Sequence, residues 1–233
     1  MYLEAVTVSV GYSDYLEFTM SRNRPHFDRY VVGTVPEDDD TIAVCAKYDV
    51  ECVLTEQFKN VQGLKGFRGL NDDVVWCKSR GINECLARLS FRDWVLHMDA
   101  DIVLTKRFRE LLEETYLEEC GMYSMVRYNT HRRGVVLSVY NDCFNWYRNR
   151  MRFSLKPAGK RAIGYFQLFH SRAEPFLNAG EKYCVSVNAR GDGMFGDLWA
   201  RDEQWLLSGA CAHIHHGGTG ENWKGRVTPP LDW

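Results

Sequence analysis

The sequence predicts an α/β domain built on a doubly wound, mostly parallel sheet. Two observations carry this. Four apolar, β-branched runs recur in the first hundred residues: AVTVSV (5–10), RYVVGTV (29–35), VECVLT (50–55) and DWVLHM (93–98). Continuous apolar runs of this kind suit strands covered by helices on both faces. Stretches with helical spacing separate them, and the order β-α-β-α-β-loop-α-β is that of a parallel sheet with crossover helices. A chain of 233 residues, 45% hydrophobic and 26% charged, is enough for one such domain with a full core.

The elements follow in order. Asp14 can cap a helix running to about Arg22. PEDDDT (36–41) supplies a helix start with acids in the first turn, and TIAVCAKY continues it. Residues 56–73, with Gly63, Gly66 and Gly69, read as a loop, and 72–89 returns to helical spacing. Beyond the fourth strand come a helix, KRFRELLEETYLEEC, and two further strands, GMYSMV (121–126) and AIGYFQLFH (162–170). No run of 18 apolar residues occurs, and the N-terminus lacks a basic segment followed by an apolar one. The expectation is a cytoplasmic protein without signal peptide or membrane span. The eight cysteines are scattered without a CxxC pair, which fits reduced core thiols.

WVLHMDADIVL poses the chemical question. A buried strand stops at two carboxylates, Asp99 and Asp101, separated only by Ala100. Ligands of open α/β sheets bind beyond the carboxyl ends of the strands. Two such acids repel unless a cation joins them, and hard oxygen ligands suit Mn2+ or Mg2+ completed by substrate phosphates. The plain alternative is a pair of acids capping a turn.

Three further stretches go with this one. WCKSRGINECLARL precedes the strand, FGDLWARDEQWLLSGA follows later, and AHIHHGGTGENWKGR comes near the end. Together with WVLHMDADIVL they resemble the glycosyltransferases of the GT-A fold, of the family-2-like and galactosyltransferase-like groups, over nearly the whole chain. The resemblance implies a single GT-A domain, with 1–104 as the nucleotide-sugar half and 105–233 as the acceptor half. It implies Asp99 and Asp101 as metal ligands holding the donor diphosphate, with Asp99 also serving the donor. It sets Lys78, Arg80 and Asn83 near the donor, and Asp202 at the position of the catalytic base. It gives a His that completes the metal shell, and Gly217, Gly218 and Lys224 on the pyrophosphate of a UDP-sugar. Thr34 stands where the family often carries an acid that binds the base.

The chemistry runs the same way. Glycosyl transfer passes through an oxocarbenium-like state, as glycoside hydrolysis does. A divalent ion and a Lys can neutralise the departing diphosphate, and a carboxylate must take the proton of the attacking hydroxyl. Asp202 is the choice, with Glu203 or Asp197 as substitutes, and a single acceptor-side base implies inversion. Asp is also a preferred helix cap, so Asp202 can be that as well. Among the histidines, His216 directly precedes the Gly217-Gly218 turn and is favoured as metal ligand, with His215 in reserve and His213 behind the ligands. A structural zinc site of Cys211, His213, His215 and His216 lacks the usual ligand pairs. Tyr12, just past the first strand, either stacks on the donor base or is an ordinary core or surface Tyr. Asp38, Asp39 and Asp40 read as a solvated helix start.

The net charge of −2 hides an asymmetry. Residues 127–161 hold nine Lys or Arg and one acid, a local charge of +8, which leaves −10 for the rest. Cations interleaved with aromatic rings, as in FNWYRNRMRFSLKPAGKR, are the footprint of nucleic-acid binding. Arg148, Arg150 and Arg152 are the backbone contacts expected from it, and Gln167 the polar contact where donor and acceptor meet. This fits a phage-type enzyme that glycosylates hydroxymethylated pyrimidines in DNA. The alternatives are a basic patch that docks on a membrane surface or binds a phosphorylated or lipid-linked saccharide, and a solvated basic face. A nucleotidyltransferase or pyrophosphorylase is the competing class, but GYSDY after the first strand is not the Gly-rich phosphate loop it needs.

Overall fold

The computed structural model describes residues 1–56, 77–141, 156–157, 165–180, 182–183, 191–214 and 229–231. The four predicted strands are β1 (Leu3–Val8), β2 (Arg29–Thr34), β3 (Glu51–Leu54) and β4 (Trp94–Met98), and they pair in parallel in the order β3-β2-β1-β4. Each crossover carries a helix: α1 (Ser13–Asn23), α2 (Asp39–Lys47) and α3 (Lys78–Leu86). After the two-residue strand β5 (Ile102–Val103) come α4 (Phe108–Glu114), β6 (Met122–Thr130) and α5 (Arg133–Tyr140). The chain continues through β7 (Lys156–Pro157), β8 (Phe166–His170), the short helices α6 (Glu174–Asn178) and α7 (Gly191–Gly196), and β9 (Gln204–Ile214).

The second half extends the same sheet: β8 joins β4 antiparallel, β6 joins β8 antiparallel, β9 runs parallel to β6, and β5 returns antiparallel along β9. Thus β1, β2, β4, β6 and β9 all point the same way, and their carboxyl ends share one edge. The result is a mixed, mostly parallel α/β sheet in a single domain, as predicted.

Side-chain alternation splits the core into two layers. Leu3, Ala5, Leu96 and Met98 face a layer with Leu16, Met20 and Phe108. Val6, Val31 and Val95 face the other, with Ile82, Leu86, Phe169, Phe195 and Trp199. The six-residue α7 is too short to hold itself in water. Its Phe195 stacks on Tyr183 at 4.2 Å and meets Phe169 and Trp199 edgewise at 5.2 and 5.3 Å. Aromatic pairs of this kind add about 0.5–1.5 kcal/mol each to their burial. Packing, not helix propensity, therefore fixes the residues that α7 carries.

Candidate active site

Asp99 and Asp101 follow β4 directly, on the edge where the parallel strands end, and six backbone groups of their turn are tied. The Asp99 N–H donates to the Tyr165 carbonyl (3.2 Å), and Ile102 N–H donates back to the Asp99 carbonyl (3.3 Å). Thr19 Oγ1 donates to the Ala100 carbonyl (2.8 Å), Ile214 N–H to the Asp101 carbonyl (3.0 Å) and Asn23 Nδ2 to the Ile102 carbonyl (2.7 Å). Strands and helices from both halves of the chain grip one turn.

Each carboxylate has a nitrogen-bearing side chain beside it. Lys78 Nζ, at the start of α3, lies 2.5 Å from Asp99 Oδ1 and 3.2 Å from Asp192 Oδ2 on α7. Burial disfavours the ammonium, but Asp192 and Asp99 outweigh it and hold the Lys78 pKa well above its usual value. His213, near the end of β9, sets Nε2 3.1 Å from Asp101 Oδ2 and Nδ1 2.9 Å from Asn129 Oδ1. Both ring nitrogens face oxygens, an arrangement the protonated ring satisfies by donating twice. Burial lowers the His213 pKa, yet the Asp101 contact prevails and raises it. Arg127 of β6 stacks its guanidinium 4.4 Å from the Tyr165 ring. Burial pushes the Tyr165 hydroxyl up to about 12.

A buried polar network underlies these charges. His97 and Gln167 are opposite each other on β4 and β8, both fully buried. The Tyr183 hydroxyl lies 2.9 Å from His97 Nδ1 and 2.7 Å from Gln167 Oε1, and Gln167 Nε2 donates to the Asp192 carbonyl (2.8 Å). Asn83 of α3 pairs both ends of its amide with the Tyr183 backbone, at 2.8 and 2.9 Å. One chain of hydrogen bonds thus joins the elements that bear Lys78, Asp99 and Asp192. Burial pulls the His97 pKa down to about 4, with Lys78 adding to the shift.

The donor set fits a hard divalent ion. Asp101 Oδ1 is buried without a hydrogen-bond partner among the described residues. Such an oxygen gains from a metal what it lost in leaving water. No group of three or more His, Cys, Asp or Glu suited to a metal occurs among the described residues.

Solved structures share this architecture. Glucosyl-3-phosphoglycerate synthase from Mycobacterium tuberculosis, in complex with Mn2+ and UDP-glucose, superposes with a TM-score of 0.53 at 17% identity, covering 92% of this chain and 72% of that one. The same enzyme with phosphoglyceric acid gives 0.52 at 15% identity, with the same coverage. A mycobacterial protein gives 0.52 at 13%, covering 92% and 68%. The fold is GT-A. No protein-family model matches the chain, and no curated protein matches it in sequence.

Within the GT-A sheet the predicted site residues fall into three groups. Asp99, Asp101 and Lys78 come together at the carboxyl edge, with Tyr12 and Thr34 at the ends of β1 and β2 on the same edge. His216, His215, Gly217, Gly218, Lys224, Arg148, Arg150 and Arg152 lie outside the described residues. Three expectations are corrected. Asp202 sits in a single 3-10 turn, Arg201–Glu203, at the amino end of β9, while the other end of that strand meets Asp101. Eleven strand residues at about 3.3 Å each separate the two ends by on the order of 30 Å. Neither Asp202 nor its neighbour Glu203 can reach the DxD turn. Gln167, expected at the acceptor, is a buried member of the network, and Asn83, expected near the donor, spends its amide on the Tyr183 backbone.

Two residues were missed. Asp192 is the carboxylate that α7 brings beside Lys78; the flanking glycines of GDGMFG conceal a helix, and only the tertiary pairing reveals it. Asp38 is more than a solvated helix start. One oxygen caps α2 at the Thr41 N–H (3.2 Å), and the other accepts from Gly11 N–H (2.8 Å) and Thr34 Oγ1 (2.9 Å). It thereby ties the end of β2 to the loop after β1 and to the start of α2.

Proposed function

We propose that this chain is a metal-dependent glycosyltransferase that moves a sugar from a nucleoside diphosphate, best a UDP-sugar, to a hydroxyl acceptor. The observation that carries this reading is the Asp99–Asp101 turn at the carboxyl edge of a GT-A sheet, with an Asp101 oxygen that has no partner among the described residues and Lys78 alongside. Asp99 and Asp101 would hold Mn2+, which would supply charge neutralisation for a departing diphosphate. Lys78 adds a second positive charge, and the tied turn keeps both carboxylates in place. Asp192 takes the role first given to Asp202: its carboxylate receives the acceptor proton, and attack from that side inverts the anomeric carbon. His213 orients Asp101 from behind.

The acceptor is a phosphate-bearing molecule in our reading, because residues 127–161 carry +8. A hydroxymethylated pyrimidine in DNA is the first candidate. A small phosphorylated hydroxy acid is the second, since the M. tuberculosis synthase binds phosphoglyceric acid. The test is release of UDP from a panel of UDP-sugars with Mn2+, offering hydroxymethylcytosine DNA, unmodified DNA, 3-phosphoglyceric acid or a lipid-linked saccharide. Acceptor-stimulated release that EDTA and Asp101→Ala both abolish supports the transferase; release indifferent to both removes it. DNA as acceptor further requires binding that falls with salt, by about 0.9 log units per log of salt for each phosphate contact.

A further inference from the structure

We propose that Lys78 is a resident counter-ion of the metal site: its ammonium holds Asp99 until a donor diphosphate draws it away, so that metal ion and donor bind as a coupled pair. The proposal rests on the metal-dependent transferase reading and concerns how that site fills.

The two carboxylates of the turn are not equivalent. Asp101 keeps Oδ1 free of partners among the described residues, ready for an ion. Asp99 has Oδ1 engaged by Lys78 at 2.5 Å, and the same ammonium reaches Asp192 at 3.2 Å. The lysine side chain is only 18% exposed, so the contact is built in, unlike the solvated pair of Lys47 with Glu17. A divalent ion on Asp99 must sit about 2 Å from a carboxylate oxygen, which brings it against the ammonium as a like charge.

The lysine cannot yield by moving its helix. Five residues on, Asn83 of the same α3 is bonded through both ends of its amide to the Tyr183 backbone, and Ser79 and Ile82 are buried. What can move is the four-carbon stem, whose ammonium is a point charge without a fixed fork geometry. A diphosphate over the turn offers that charge a new partner and frees Asp99 in the same event. Free metal alone offers it nothing. Occupancy by the metal and by the diphosphate are therefore thermodynamically linked through one side chain.

A structural salt bridge and a resident counter-ion predict opposite signs. If Lys78 merely positions Asp99, removing it weakens metal binding. If it competes, removing it strengthens metal binding. The experiment is titration with Mn2+, following the free ion by electron paramagnetic resonance, with and without saturating UDP. The proteins are the wild-type chain, Lys78→Met, the charge-neutral pair Lys78→Gln/Asp192→Asn, and Asp101→Ala. Without UDP, Lys78→Met should bind Mn2+ about tenfold more tightly than wild type, within the range of coupling for groups in one ion-pair network. Its enhancement by UDP should be about tenfold smaller. The charge-neutral pair should keep the tighter binding, which separates competition at Asp99 from a general gain of negative charge. It also strands one carboxylate, Asp99, where Lys78→Met strands two, so the test survives if Lys78→Met does not fold. Equal or weaker Mn2+ affinity in the pair overturns the proposal while leaving the metal site standing. Absence in all proteins of Mn2+ binding that depends on Asp101, even with UDP, overturns the transferase reading along with it.

Discussion

Tyr183→Phe isolates the buried network from the packing around it. The substitution keeps the ring, and with it the 4.2 Å stack on Phe195, so no cavity term enters. It deletes one hydroxyl, which lies 2.7 Å from Gln167 Oε1 and 2.9 Å from His97 Nδ1. Both partners are fully buried, so neither can turn to water for a replacement. A buried polar group stripped of its partner costs about 1–3 kcal/mol. His97 and Gln167 still face each other at 3.2 Å, which recovers part of the loss and points to about 2 kcal/mol. For a domain of this size that is a fall in Tm of about 4–8 °C. Thermal melts followed by circular dichroism, with urea midpoints alongside, measure it. Gln167→Leu/Tyr183→Phe should be less damaging than the two single changes summed, since each removes what the other would strand. A Tm shift under about 1 °C, or strict additivity, would refute the account of the network as one coupled unit.

Two other tests address the site and the core. Asp192→Asn should lower turnover about 10²–10⁴-fold, as expected for a lost general base, while Asp202→Asn leaves it unchanged; the reverse pattern in a UDP-release assay would restore Asp202. His26 is buried against Phe108, and burial, with Arg109 nearby, pulls its pKa from 6.5 down to about 4. The unfolded chain then binds the extra proton between these values, so stability is full above about 6.5 and declines as pH falls toward 4, by up to about 3 kcal/mol. The gap between urea midpoints at pH 7 and pH 4.5 should narrow in His26→Phe, with His97, also held down to about 4, supplying the remainder, and an unchanged pH slope there would clear His26 of the effect.

The parallel half of the fold was legible because its signal is local. Runs such as RYVVGTV have no helical alternative, and β1 to β4 lie within two residues of where the sequence sets them. Helix ends were less so. Asp14 sits inside the first turn of α1, its carboxylate accepting from the Leu231 N–H at 2.6 Å, a partner 217 residues away that no local pattern announces. The DxD turn was readable from an abrupt change of character after an apolar strand. The base was not. DEQW looks like a helix start, but the chain becomes extended at Gln204 and enters an eleven-residue strand containing Gly209 and Ala210, whose small residues dilute the strand signal. Its direction beside β6 decides which end of the sheet each acid occupies, and that is a long-range pairing.

The tied DxD turn has a consequence for the energetics of capture. Residues from α1 and β9, with Tyr165 just ahead of β8, hold several of its backbone groups, so the segment that would receive an ion under the proposed function carries little backbone freedom to lose. The entropy of ordering those residues, about 1–2 kcal/mol apiece, is spent when the chain folds rather than when it meets its ligand. Binding then depends on exchanging side-chain and solvent partners, and its heat should be dominated by dehydration of the ion and by side-chain rearrangement. The Asp99 and Ile102 amides should accordingly exchange with deuterium at nearly the same slow rate whether or not the site is filled.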